Sequence, residues 1–174
     1  MPNLIAYFDG LELGICQRIN QLSRLTGVRR TFAFVSKLGD YGFWLMTGAL
    51  IFALQGPASL PAIGTMASMA TLGILVYKSL KNRLVRERPY INSGDIVCGT
   101  APLDRHSFPS GHTLHATSFA IMMPYVEPTL APVVIPFAML VAASRVVLGL
   151  HYPSDVIVGA LIGALIGHIG ISLI

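Results

Sequence analysis

Three short groups of residues hold side chains able to do acid–base and anion chemistry, and each lies at the edge of an apolar run. The first is Lys81-Asn-Arg-Leu-Val-Arg-Glu-Arg88-Pro89. Lys81 and Arg88 are seven positions apart, which on a helix is two turns and one face, and Pro89 is expected to end that helix. Two cations on one face suit an anion with several oxygens, the arginine as a planar fork of donors and the lysine as a point charge. Taken alone, the segment also reads as a basic juxtamembrane stretch touching anionic headgroups, and Arg83 and Arg86 are assigned to that part. The second group is Pro109-Ser110-Gly111-His112. Serine ahead of a helical run is a start signal. The N–H groups of such an end bind anions, Gly111 leaves room for close approach, and Ser110 adds a hydroxyl. His112 in the first turn faces the same spot and can give or take a proton near neutrality. Taken alone, a capping serine with an interfacial histidine explains the group equally well. His115, three residues on, hints at a metal pair, but no third ligand lies near it in sequence. The third group is Ser144-Arg145, Gly149, His151, Tyr152-Pro153 and Asp155. Pro153 suits a first helical turn, and a helix there lets Asp155 reach one imidazole nitrogen of His151. That contact fixes the tautomer and leaves the other nitrogen as a nucleophile. A buried His–Asp pair that only staples two helices is the plainer alternative. Together the groups supply what phosphoryl transfer needs: charge stabilisation on the equatorial oxygens, a nucleophile and an in-line acid.

These groups need a scaffold, and composition indicates which. The chain has 174 residues, of which 20 are charged, or 11%; soluble chains run at roughly 25%. Apolar residues make up 53% and mean hydropathy is +0.66. So few charges cannot cover a soluble globule, which excludes a secreted or cytosolic domain, a disordered chain and a nucleic-acid partner. Cys16 and Cys98 lack metal-ligand spacing, and a charged-then-apolar leader pattern is absent from the amino end. No charge occurs between Tyr41 and Tyr77, a stretch too long for one crossing and broken at Gln55-Gly56-Pro57. It predicts two helices, roughly 41–55 and 59–79. Further apolar runs cover 107–126, 128–147 and 153–174. The expected fold is therefore all-α, a polytopic membrane bundle of five spans over residues 39–174. Gly159, Gly163 and Gly167 form a stripe that lets helix backbones approach in lipid. In residues 1–38, Leu4, Phe8, Leu11, Ile15, Ile19 and Leu22 recur at helical spacing, with Asp9, Gln17, Gln21 and Arg24 off the stripe. This reads as one or two amphipathic helices in the membrane interface; 4–22 as a sixth span is the alternative. The whole chain is read as one integral membrane domain.

The motifs Lys81-x6-Arg88-Pro89, Pro109-Ser-Gly-His112 and Ser144-Arg145-x5-His151-x3-Asp155 resemble, in order and spacing, those of the membrane type-2 phosphatidic acid phosphatase family. The wider superfamily includes soluble acid phosphatases and vanadium haloperoxidases. The resemblance implies a lipid phosphatase with His151 as nucleophile through a phosphohistidine, Asp155 orienting it, and His112 as the acid and then the base for water. It implies that Lys81, Arg88, Arg145, Ser110 and the Gly111 amide hold the phosphate, and that no metal or other cofactor is needed. Bacterial relatives of this compact kind act on undecaprenyl pyrophosphate, phosphatidylglycerophosphate, phosphatidic acid or lipid A phosphates. The loop 90–108, with Asp95, Cys98, Asp104, Arg105 and His106, is the expected place of headgroup choice. A phosphotransferase, a lipid transporter needing the cations but not the His–Asp spacing, and a membrane scaffold are the rival classes. The resemblance places the enzyme in the bacterial inner membrane with its site outside. The positive-inside rule points the other way, because all 12 cations fall on the site's side of the five-span layout and the opposite loops hold only Glu127. An exterior site also permits a Cys16–Cys98 disulfide. Oligomeric state is not encoded in any of these features.

Overall fold

Helices are the only regular elements among the described residues of this computed structural model, which are 4–102 and 104–174, with side chains from residue 10 onward. They are α1 (Leu4–Asn20), α2 (Thr26–Leu38), α3 (Gly42–Gln55), α4 (Leu60–Arg83), the one-turn α5 (Pro89–Asn92), α6 (Gly111–Val126), α7 (Ala131–Val147) and α8 (Pro153–Ile171). Short 3-10 turns at Gln21–Arg24, Gly56–Ser59 and Pro128–Leu130 join neighbours.

Among the described residues, three stretches are long and apolar enough to cross a membrane, namely Gly42–Arg83, Pro128–Val147 and Pro153–Ile171. The first holds both α3 and α4, parted as expected at Gly56, whose φ of +64° suits glycine. α6 departs from the expected 107–126. Its first turn begins only at Gly111, because Ser107 turns its hydroxyl to the carbonyls of Arg86 and Glu87 and Ser110 caps the helix. At 16 residues α6 is shorter than the about 20 that a lipid-exposed span needs. It does not face lipid alone: it packs against α3, α4, α7 and α8. The outward stripes of α7 and α8, with Val133, Ile135, Met139, Ile157, Leu161 and Leu165, stay uncovered. Apolar faces of this extent suit a bilayer and not water.

The expected glycine stripe is the tightest contact in the bundle. A Cβ at Gly159 would stand 2.6 Å from the carbonyl oxygen of Ser110, one at Gly163 would overlap that of Leu114, and one at Gly167 would stand 3.1 Å from that of Ser118. Two i, i+4 rows therefore lie backbone to backbone, α8 against α6. At the far side of α6, Trp44, Phe119 and Phe137 stack to tie α3, α6 and α7.

The amino-terminal segment forms two helices. Leu11, Ile15 and Leu22 of the sequence stripe point away from the protein; Leu4, Phe8 and Asp9 have side chains outside the described residues. The inward face mixes small and polar groups with apolar ones: Cys16, Asn20 and Ser23 are buried against the chain between α7 and α8, and Leu13 and Ile19, the latter of the sequence stripe, pack beside Cys16. Asn20 donates to the carbonyls of Val97 and Val147, each at 2.9 Å, and Ser23 donates to Val147 at 2.6 Å. Cys16 is buried and Cys98 exposed, and both are free thiols.

Candidate active site

The three motifs arrive from three directions. α4 delivers Lys81 at its last turn and ends at Arg83, so the expected continuation to Pro89 on one helical face is not what joins Lys81 to Arg88. The residue before a proline is pushed out of helical geometry, and Arg88 is extended at φ −82°, ψ 151°. From there its guanidinium turns inward, donating to the Leu150 carbonyl at 2.8 Å and lying 3.3 Å from Nε2 of His151. The two cations meet instead on Asp104. Lys81 Nζ is 2.7 Å from both carboxylate oxygens and Arg88 Nη2 is 2.8 Å from one.

α6 delivers the second motif. The Ser110 amide donates to the Asp155 carbonyl at 3.0 Å, a contact the glycine seam makes reachable. Ser110 is fully buried; its hydroxyl caps the helix by accepting from the Thr113 amide at 3.5 Å and pairs with the Thr113 hydroxyl at 3.0 Å. It therefore stands behind the cavity, not among its walls. Gly111 does line the cavity, under the Tyr77 ring that a Cβ would approach to 3.3 Å. His112 Nε2 is 2.5 Å from Asp40.

The third motif turns on Gly149, which has φ +72° and is packed so closely by Ile96 and Val97 that a side chain would collide. This turn folds the chain back so that the amides of Leu150 and His151 both donate to the carbonyl of Arg145, at 3.0 and 3.1 Å. Arg145 donates to Ser36 of α2, and its Nε has no partner among the described residues. α8 begins at Pro153 as expected, bringing Asp155 Oδ2 to 3.5 Å from His151 Nδ1. At this separation Nδ1 makes no hydrogen bond, while the same Oδ2 accepts from the Tyr152 amide at 2.8 Å.

A cavity of about 240 Å³ lies between these elements, lined by Lys81, Arg88, Gly111, His112, Arg145 and His151 of the predicted set and also by Asp40, Tyr77, Asp104 and His115. Ser110 and Asp155 support it from behind. The charged members are buried to a degree that only pairing explains: Lys81 is 6% exposed, Arg88 1%, Arg145 2%, His151 1% and Asp155 0%. Burial, and then the Arg145, Arg88 and Lys81 cations, hold the His151 imidazole well below its ordinary pKa, so the ring is neutral near pH 7. Burial works to raise Asp104, but Lys81 and Arg88 outweigh it and hold its carboxyl below the usual range. The arrangement is a cation-lined cup with a neutral, nucleophile-competent imidazole at its base and a second histidine at its rim. Among the described residues, no cluster of three or more His, Cys, Asp or Glu side chains has a metal-holding arrangement.

Sequence reasoning missed three partners. Asp40 pairs with His112; its signal was that it is the sole acid between Glu12 and Glu87 and stands at the mouth of a span. Arg86, set aside as surface charge, reaches Asp155 Oδ1 at 2.7 Å. Asp104, read as a headgroup selector, sits on Lys81 and Arg88 themselves.

The model of the PAP2 superfamily matches residues 62–174, which contain all three motifs. Decaprenylphosphoryl-5-phosphoribose phosphatase of Mycobacterium tuberculosis is 37% identical over 147 residues, 82% of this chain and 78% of the relative. Undecaprenyl-diphosphatase of Sulfolobus acidocaldarius is 28% identical over 156 residues, 88% of this chain and 73% of the relative. The crystal structure of Aquifex aeolicus LpxE superposes with a TM-score of 0.79 at 27% identity, covering 93% of this chain and 95% of that one. The chain belongs to the PAP2 superfamily and is a helical membrane phosphatase.

Proposed function

We propose that the protein hydrolyses a phosphomonoester or pyrophosphate on a lipid headgroup, without a metal ion, through a phosphohistidine at His151. The observation that carries this is the placing of the imidazole: Asp155 Oδ2 stands 3.5 Å from Nδ1, and Arg88, which can only donate, stands 3.3 Å from Nε2. The proton then resides on Nδ1 and the lone pair on Nε2. Nε2 attacks phosphorus, the N–P bond forms, and the P–O bond to the lipid breaks as His112 gives its proton to the leaving oxygen. A water then attacks the phosphohistidine, His112 takes its proton, and the N–P bond breaks to release phosphate. Lys81, Arg88 and Arg145 offset the charge on the equatorial oxygens, with the Gly111 end of α6 beside them and Ser110 holding that end in place. Asp104 pairs with two of these cations, Lys81 and Arg88, so an incoming phosphate displaces its carboxylate.

The relatives named for polyprenyl-linked substrates and the uncovered apolar faces support a lipid whose tail lies in the bilayer. We place the whole chain in one membrane domain of the bacterial inner membrane, α1 and α2 in the interface, and the site on the outer side.

The test is phosphate release by detergent-purified protein from undecaprenyl pyrophosphate, phosphatidylglycerophosphate, phosphatidic acid and lipid A, with and without EDTA. Release from at least one lipid, unchanged by EDTA, is expected. No release from any of them, or a loss with EDTA that divalent cations restore, overturns the reading.

A further inference from the structure

Behind the His151–Asp155 pair lies a second layer of ion pairs that ends on the first helix of the chain. Arg86 Nη1 donates to Asp155 Oδ1 and to Ser154 Oγ, each at 2.7 Å, and Nη2 reaches Glu12 of α1 at 2.6 Å. Glu12 also accepts from the Ser154 amide at 2.8 Å and from the Ser154 hydroxyl at 2.8 Å. The Arg86 guanidinium stacks 4.0 Å over the Tyr152 ring. α1 closes on the same loop a turn later, where Cys16 Sγ lies 3.8 Å from the His151 carbonyl. A fully buried carboxylate is costly unless its oxygens are satisfied, and Asp155 receives its charge-assisted bond from Arg86, not from the histidine it serves.

We propose that Arg86 and Glu12 are positioning residues for the phosphoryl-transfer step, acting through Asp155 on His151. Arg86 keeps Asp155 ionised and fixes its Oδ1, so that Oδ2 stays turned to Tyr152 and the imidazole. Glu12 in turn fixes the guanidinium and the first turn of α8. The imidazole becomes positively charged as its N–P bond forms, and the carboxylate that supports that charge works only if it is ionised and aimed. Neither residue touches the cavity, so substrate binding is left alone. This inference rests on His151 being the nucleophile, and it makes α1 part of the catalytic apparatus even though the PAP2 match begins at residue 62.

The test compares Arg86→Met, Arg86→Lys and Glu12→Gln in the full chain, using the lipid hydrolysed best by the wild type. kcat, KM and the rapid-quench rate of phosphoenzyme formation are measured, with His151→Ala as reference. Arg86→Met lowers kcat and the phosphorylation rate about a hundredfold, the loss that a displacement of about 1 Å brings, with KM little changed. Arg86→Lys recovers most of that loss. Glu12→Gln, which keeps shape and folds where the methionine variant does not, gives a smaller loss in the same two quantities. An unchanged kcat and phosphorylation rate in Glu12→Gln, or in an Arg86→Met that folds, overturns the relay. So does a loss confined to KM. Turnover surviving in His151→Ala overturns the underlying nucleophile reading instead, which separates the two failures.

Discussion

The two ends of the bundle solve opposite problems. At one end Lys81, Arg88, Arg145, His151 and Asp155 are taken almost wholly out of water, and buried charge destabilises unless each group finds partners. Partners are therefore recruited from distant segments: Asp40 to His112, Asp104 to Lys81 and Arg88, and Arg86 to Asp155. At the other end the turns at 56–59 and 127–130 carry one acid, Glu127, and pair it only with uncharged groups at the surface. It accepts from Thr129 Oγ1 at 2.6 Å and from Gln55 at 3.0 Å, and Gln55 also donates to the Val126 carbonyl. One end invests polar groups in chemistry, the other only closes loops. Substitutions at the first should change rate, and those at the second should change little.

The largest effect expected is at the base of the cup. His151→Ala removes the proposed nucleophile, and release of phosphate falls by about four orders of magnitude or more; turnover at ordinary enzyme levels would falsify the covalent route. Next comes the seam joining the two ends. Gly163→Val forces a branched side chain into the Leu114 carbonyl, and overpacking costs about 1–3 kcal/mol or more. Its melting temperature in detergent should drop well below wild type, whereas Gly64→Ala, where a Cβ meets open space, should leave it in place.

The pH profile offers a third test. The folded protein holds His151 below its ordinary value of 6.5, so the unfolded chain takes up the proton first. Stability is present above about pH 6.5 and declines on acidification below it, and the nucleophile is lost only at still lower pH. A kcat/KM profile whose acid limb is centred at or above 6.5 contradicts this assignment. A fourth test removes the resident anion. Asp104→Asn leaves Lys81 and Arg88 without a competing carboxylate, and vanadate or phosphate should inhibit several-fold more tightly. Weaker inhibition would mean that Asp104 helps to shape the site. The smallest effect is at the quiet end: Glu127→Gln should leave both kcat and melting temperature within error, and a clear fall in rate would erase the contrast between the ends.

The local signals carried much of this. Pro153 and Ser110 marked true helix starts, the Gln55-Gly56-Pro57 break fell between α3 and α4, and the glycine spacing in α8 matched a real seam. These follow from backbone geometry within a few residues. Pairings between distant segments were not legible in this way. His112 and Asp40 are separated by 72 residues and Arg86 and Asp155 by 69, and no periodicity within one element encodes such a meeting. The Lys81–Arg88 reading shows the reverse error. Helical spacing suggested a shared face, but the chain leaves the helix at Arg83 to carry Arg86 and Arg88 under the α7–α8 loop, and tertiary contacts override the local pattern.

The glycine seam also divides what can move from what cannot. Where bare Cα atoms of α8 meet carbonyls of α6 few side chains lie between them, so α6 and α8 form one closely packed bar. His112 rides on one member of that bar. His151 stands at the head of the other, with Asp155 Oδ2 3.5 Å from its ring and the Ser110 amide tying Asp155 to α6. On the proposed reading, acid and nucleophile are thus carried by two closely packed helices, one each. Access is left to the other walls, the α2–α3 turn with Gly39, Asp40 and Tyr41 and the loop with Asp104. Reactivity and admission are thus assigned to separate parts of a small chain, and a lipid of different size can be accommodated by altering the walls without disturbing the distance over which the phosphoryl group is passed.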